Sequence, residues 1–343
     1  MAAACLVAAG ISLLLGGPVR RLGAALGIMD KPGRRSSHSM PVPRTGGIAI
    51  IAGAMVAMAL FGKPNMPLLA AAAFGTLVAA ISLIDDIFTV PSLIRLVVHL
   101  LVAGTVIGLV GLEPQDLGLP YLSMNMNAWT GAILAVLFTV GFVNFFNFMD
   151  GINGIAAFQG ILGAGMIGVL LMWGGADNSV LVAAAMAGGC LGFLPHNFPK
   201  ARMFMGDVGS TTLGFCLSML TLVGGCRSEL PWVAYILPLG VFIYDATFTL
   251  IKRIIRRENF LQAHREHHYQ LLIRSGWSHT KVALLQAALM AMFCASAVIY
   301  TNGDDMSRLL VLAADLALMG TYSVFVHRTF ARHPAKTGEG PAG

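Results

Sequence analysis

Asn144, Asn147 and Asp150 recur at a spacing of three and run into Gly151-Ile152-Asn153-Gly154. Residues three apart are neighbours on a helix, so the three polar side chains fall along one side of a helix end. Gly151 and Gly154 let the backbone turn there and come close to a bound group. A carboxylate and three amides offer hard oxygen ligands and hydrogen-bond partners. That chemistry suits a substrate with anionic oxygens, held where an apolar run stops. Asn144, deepest in the run, reads as structural.

Four further segments carry reactive groups. Asp85 and Asp86 close the apolar run 77–84. Adjacent helical residues point about 100° apart, so the two carboxylates should have different partners. Metal binding, work on a phosphate proton, and a solvated pair marking the end of a span all remain open. Carboxylates at membrane depth are costly and tend to be functional. In Phe204-Met205-Gly206-Asp207-Val208-Gly209-Ser210-Thr211-Thr212, a carboxylate between two glycines opens a helix. Asp207 could bind a hard cation, amides at a helix start favour anions, and Ser210 or Thr211 could cap the helix. Gly206 and Gly209 are candidate substrate contacts. A basic stretch from Asp30 to Gly47, containing Arg34, Arg35, His38 and Arg44, either grips anionic groups or enforces topology. The stretch Lys252 to Gly276 holds His264, Arg265, His267 and His268, types suited to phosphate oxygens. No Cys or placed carboxylate completes a zinc site there. Arg256 and Arg257 read as a juxtamembrane patch, and His99 as a packed polar residue.

The elements that must position these groups follow from composition. The chain has 343 residues, 57% hydrophobic and 11% charged, with a mean hydropathy of +0.77. Soluble proteins average about 25% charged residues, so the chain is predicted to be an all-α integral membrane protein. Apolar runs lie at 2–17, 46–62, 67–84, 92–112, 128–146, 156–173, 179–195, 211–226, 232–251, 281–301 and 307–327. Each is long enough to span a bilayer, giving 11 helices, or 10 without the first. The first run lacks a cleavage site and reads as a retained span. One transmembrane domain covers 1–328, and a disordered tail is expected at 329–343. The five cysteines lack a CxxC pair and read as buried thiols.

Of the 22 Lys and Arg, 18 fall in the loops at 18–45, 196–210 and 252–281 and in the C-terminal tail. Lys63, Arg227 and Arg308 fall on the opposite side, and Arg95 lies just inside a span. The positive-inside rule then puts the N-terminus outside and the C-terminus in the cytoplasm. Asp85, Asp86, Asn147, Asp150, Asn153, Asp207 and His264 to His268 all fall on the cytoplasmic side. The net charge of +6 reflects this topology rather than nucleic-acid binding.

An Asp-Asp pair, an NxxNxxDGxNG segment, an FMGDxGS segment and a final His/Arg loop, in that order, resemble the polyprenyl-phosphate N-acetylhexosamine-1-phosphate transferases. The resemblance covers roughly residues 1–328. It implies transfer of a sugar-1-phosphate from a UDP-N-acetylhexosamine to undecaprenyl phosphate, releasing UMP, at the bacterial inner membrane. By this resemblance Asp85 and Asp86 serve the lipid phosphate, and Asp207, assisted by Asn147, binds Mg²⁺ or Mn²⁺. Asn153 contacts uracil, and Asp150 belongs to the catalytic centre. His267 would be catalytic, with Arg265, His264 and Arg44 around the phosphates. Whether the lipid attacks directly or through an aspartyl phosphate stays open.

Two departures stand out. Asn153 replaces the Asp common in the central bacterial segment, and an amide still pairs with uracil. His264-Arg265-Glu266-His267-His268 replaces three consecutive His, which argues against the muramoyl-pentapeptide substrate and for initiation of O-antigen or other surface glycans. The rival from another class is a secondary transporter, whose acids should lie near the bilayer midplane. Asp245 and Asp315 are the acids well inside spans: Asp245 could support the site, and Asp315 has no account beyond a buried polar partner. GlcNAc and 6-deoxy relatives are not distinguished by these motifs, and a homo-oligomer is compatible with them.

Overall fold

The computed structural model describes residues 1–30, 41–62, 66–88, 90–258 and 264–333. Arg34, Arg35, His38 and the tail from 334 onward therefore lie outside the described residues. Helices account for most of the described residues: α1 (Ala2–Ala25), α2 (Gly46–Phe61), α3 (Met66–Phe88), α4 (Ser92–Val110), α5 (Ala128–Met149), α6 (Ile155–Trp173), α7 (Asp177–Asn197) and α8 (Asp207–Arg227). Then follow α9 (Trp232–Ile236), a 3₁₀ turn (Leu237–Leu239), α10 (Gly240–Ile255), the short α11 (His268–Arg274), α12 (His279–Asn302) and α13 (Asp305–Arg332). Among the described residues, strands amount to β1 (Met29–Asp30) paired antiparallel with β2 (Val42–Pro43). The chain is a multi-pass membrane protein. Among the described residues nine helices are long and apolar enough to cross a bilayer, counting Trp232–Ile255 as one. Each of the 11 expected runs falls on a helix. The 16 residues of α2 rise only about 24 Å, short of a ~30 Å hydrocarbon core.

The helices outrun the apolar segments. Asp85 and Asp86 belong to the last turn of α3 and Asn147 to the last turn of α5, not to loops. Likewise α13 continues past residue 328 to Arg332. Backbone hydrogen bonding does not stop where hydropathy does, so the polar turns project from the apolar layer as part of rigid helices.

Small residues set the packing. Ala4, Ala8, Ser12 and Gly16 form the buried stripe of α1. A Cβ at Gly188 or Gly192 of α7 would stand 2.2 or 2.1 Å from the carbonyl oxygen of Cys5 or Ala9. The two backbones therefore touch, as small-residue interfaces allow in membranes. Pro238 breaks the ladder between α9 and α10, and the buried Gln159 side chain of α6 donates to its carbonyl at 2.9 Å. This gives a carbonyl at the helix break a partner that lipid could not supply.

Most consequential is α8. It is buried on every side, from Val208 through Leu222, with α2, α3, α5, α6 and α7 packed around it. Its first residue is Asp207. The bundle core thus ends in a carboxylate, and the neighbouring helix ends close around it.

Candidate active site

Asp86 receives the start of α8. It accepts the backbone N–H of Val208 at 3.1 Å and of Asp207 at 3.4 Å. No side chain within α8 caps it, so a carboxylate from α3 does so across the interface, satisfying donors that would otherwise be orphaned. The Asp86 side chain has 0% exposure and lies 3.4 Å from Nε of Arg44, which also donates to the Asp86 carbonyl at 2.6 Å. Ser210 and Thr211 do not cap the helix. Thr211 donates its hydroxyl back to the Asp207 carbonyl at 2.6 Å and meets Ser82 of α3 at 2.6 Å. Ser210 accepts from Asn147 at 2.9 Å.

Asp85 turns elsewhere, as adjacent helical positions require. It accepts the Val90 N–H at 2.6 Å and pairs with Arg95. The same Arg95 nitrogen is 3.0 Å from Asp207, so one guanidinium of α4 bridges the two carboxylates. Hydropathy alone puts Arg95 inside a span and assigns it no partner. Its signal was there, however: a lone cation one turn into an apolar helix, just after an Asp pair.

Asp207 is the accessible acid of the group, with 29% of its side chain exposed against 7% for Asp85. Asn147 of α5 donates to its Oδ1 at 3.1 Å. A hard carboxylate with an amide beside it, open to one side, fits a divalent cation that keeps several waters and shares substrate phosphates. Among the described residues no three His, Cys, Asp or Glu form a closed metal cage, and a phosphate-sharing Mg²⁺ site does not need one.

Asp150 ends α5. Burial first, then the charges of Asp207 and Asp86, pushes its carboxyl up to about 7. Gly154 follows at φ +86°, the left-handed turn its residue type anticipates. Gly151 has no room for a Cβ: it would stand 2.1 Å from the Tyr269 hydroxyl. That hydroxyl donates to the Phe148 carbonyl at 2.9 Å, seating α11 on the Asp150 turn. Tyr269 is a contributor sequence reasoning missed, since nothing local pairs it with Gly151.

The remaining candidates divide. His267 lies with its ring 6.0 Å from that of Tyr269 and 6.4 Å from that of Phe148. His264 is 5.0 Å from His267. Burial, followed by His267 and Arg253, lowers the His264 pKa to about 4, so it is neutral near pH 7. Arg274 donates to the Arg265 carbonyl at 3.0 Å. Arg256 pairs with Glu266 and Glu258 at 3.4 and 3.9 Å. Asn153 donates to the Pro199 carbonyl at 3.1 Å. Gly206 and Gly209 serve close packing: a Cβ at Gly206 would be 2.1 Å from the Arg44 carbonyl oxygen, and one at Gly209 2.7 Å from Cα of Gly47. His99 is buried, with Nδ1 unpartnered. Ser296 donates to Asp315 at 2.8 Å, supplying the polar partner expected for it.

The comparisons with known proteins agree on one kind of relative. The model of glycosyl transferase family 4 matches residues 68–225, the stretch from α3 to the end of α8. A probable undecaprenyl-phosphate N-acetylglucosaminyl 1-phosphate transferase of Bacillus subtilis is 29% identical over 287 residues, covering 82% of this chain and 79% of the relative. A decaprenyl-phosphate N-acetylglucosaminephosphotransferase of Mycolicibacterium smegmatis is 30% identical over 338 residues, covering 87% and 82%. A phospho-N-acetylmuramoyl-pentapeptide-transferase of Moorella thermoacetica is 30% identical over 314 residues, covering 86% and 96%.

Proposed function

Because the chain belongs to glycosyl transferase family 4, we propose that it moves an N-acetylhexosamine-1-phosphate from a UDP-sugar to undecaprenyl phosphate. The products are the lipid pyrophosphoryl sugar and UMP, and the reaction is the first membrane step of a surface polysaccharide. The observation that carries this reading is Asp207 at the start of a helix buried from Val208 through Leu222, flanked by Arg95, Asn147 and Asp150. Such a group binds phosphates and a cation at a membrane surface.

In this reading a lipid phosphate oxygen attacks the phosphorus next to the sugar, the bond from that phosphorus to the bridging oxygen breaks, and UMP departs with that oxygen. Asp207 and Asn147 would hold Mg²⁺ or Mn²⁺, whose charge offsets that of the pyrophosphate. Arg95 and Arg265 add positive charge around the transferring phosphoryl group. Asp150, titrating near 7, is matched to take the remaining proton of the lipid phosphate. Asp86 contributes by fixing the start of α8. Asn153 is assigned to the uracil. The site faces the cytoplasm, on the strength of the charge bias of the loops.

The Moorella relative favours a muramoyl-pentapeptide substrate as the second reading. The interrupted His264-Arg265-Glu266-His267-His268 run and the two N-acetylglucosamine relatives favour N-acetylglucosamine or a 6-deoxy relative. The test is turnover of a UDP-sugar panel by the purified protein with undecaprenyl phosphate. UDP-GlcNAc should give labelled lipid and UMP, EDTA should stop the reaction, and Mg²⁺ should restore it. Asp207→Ala should lose at least about 10³-fold in rate. Full activity of that variant, or exclusive use of the UDP-muramoyl-pentapeptide, sinks the reading.

A further inference from the structure

Asp245 lies inside α10 with 0% exposure, and no step above uses it. A carboxylate within a membrane-spanning helix is costly unless fully partnered. Thr249 donates to it at 3.3 Å from within the same helix. Its other partners come from the start of α11. The His268 N–H reaches both carboxylate oxygens at 3.1 Å, His267 Nδ1 lies 3.2 Å from Oδ1, and His268 Nδ1 lies 3.1 Å away. One buried carboxylate therefore fastens the first turn of α11 to α10.

The rest of α11 is clamped in the same direction. The His268 ring sits 5.1 Å from that of Phe248 on α10, and 5.4 and 5.6 Å from those of Tyr322 and His327 on α13. Arg274 lies over the Phe330 ring at 4.7 Å. On its other side α11 presents His267 and Tyr269 to the end of α5, beside Asp150. The pair Asp245–His267 thus spans from a fixed, apolar interior to the edge of the phosphate site.

We propose that Asp245 is the positioning residue for His267. By accepting from Nδ1 it fixes the tautomer and orientation of the imidazole, leaving the Nε2 lone pair to accept from the protonated oxygen of a substrate phosphate. A carboxylate holding one ring nitrogen so that the other does chemistry is a recurrent device. Its kinetic consequence rests on the transferase reading; its structural consequence does not.

The experiment uses Asp245→Asn, which keeps an acceptor for the His268 N–H, together with His267→Ala and the double variant. Nitrogen NMR on ¹⁵N-histidine-labelled protein in lipid should show Nδ1 of His267 protonated in the native chain, with the signal assigned by its loss in His267→Ala. In Asp245→Asn the proton should shift toward Nε2. An unchanged His267 signal overturns the proposal. In transfer assays, Asp245→Asn should lower kcat by about 10- to 100-fold, with KM for both substrates within about twofold and an unchanged melting temperature. Adding it to His267→Ala should cost nothing further. Additive losses, or a loss confined to KM, would mean that Asp245 does not act through His267. If the native chain turns over no UDP-sugar, the transferase reading falls and the NMR result alone decides the hold of Asp245 on His267.

Discussion

The two halves of the candidate site are built differently. The acidic half, Asp85, Asp86 and Asp207 with Arg95 and Asn147, sits on the ends of long helices whose shafts form the bundle core. The His half, His264 to Tyr269, sits on a loop and a seven-residue helix. Tyr269 and Asp245 join it to the rest, together with the rings of α10 and α13. A site assembled from helix ends inherits its precision from the core. One assembled on a short helix needs its own anchors, which is why a buried carboxylate is spent there.

The difference can be broken first at Arg95. Arg95→Ala leaves Asp85 and Asp207 facing each other without their shared cation. Transfer should fall on the order of 10²-fold or more, and the melting temperature should fall too, since a partner of a largely buried acid is gone. Arg95→Ala retaining native rate and stability would show that the acidic half is not held as described.

A smaller effect probes Asp150, which lies between the halves. Its folded pKa is raised, so it carries its proton below about 7 and loses it above. If it takes the lipid phosphate's proton, kcat should decline as pH falls through about 7, and Asp150→Asn should flatten that limb. An identical pH profile in the two proteins would remove Asp150 from proton transfer. The smallest effect belongs to His264. With its pKa near 4 it carries no charge at neutral pH, so His264→Gln should change kcat/KM by less than about fivefold. A much larger loss would mean that the His half works through the charge of His264.

Much of the acidic half was legible in the chain. The motifs Asp85-Asp86, Asn144 to Gly154 and Phe204 to Thr212 are each local, and hydropathy puts each at a helix end. The divergence of Asp85 and Asp86 follows from helical geometry alone. Arg95 was visible but unplaced, because its partners are 10 and 112 positions away. Gly206 and Gly209 read as substrate contacts because glycine in a loop signals close approach, but sequence cannot say what approaches. Here it is the chain's own backbone.

The amino-acid sequence by itself determined the class of molecule, the apolar helices and the residue types of the site. These depend on composition and on spacings within one or two turns. Only the tertiary structure decided that Asp86 caps α8, that Arg95 bridges two acids, that Gly151 yields to Tyr269 and that Asp245 holds His267. Each of those contacts joins different helices, and which helices meet is set by the matching of small-residue stripes and bulky side chains across interfaces, information spread over the whole chain rather than written beside the residues it positions.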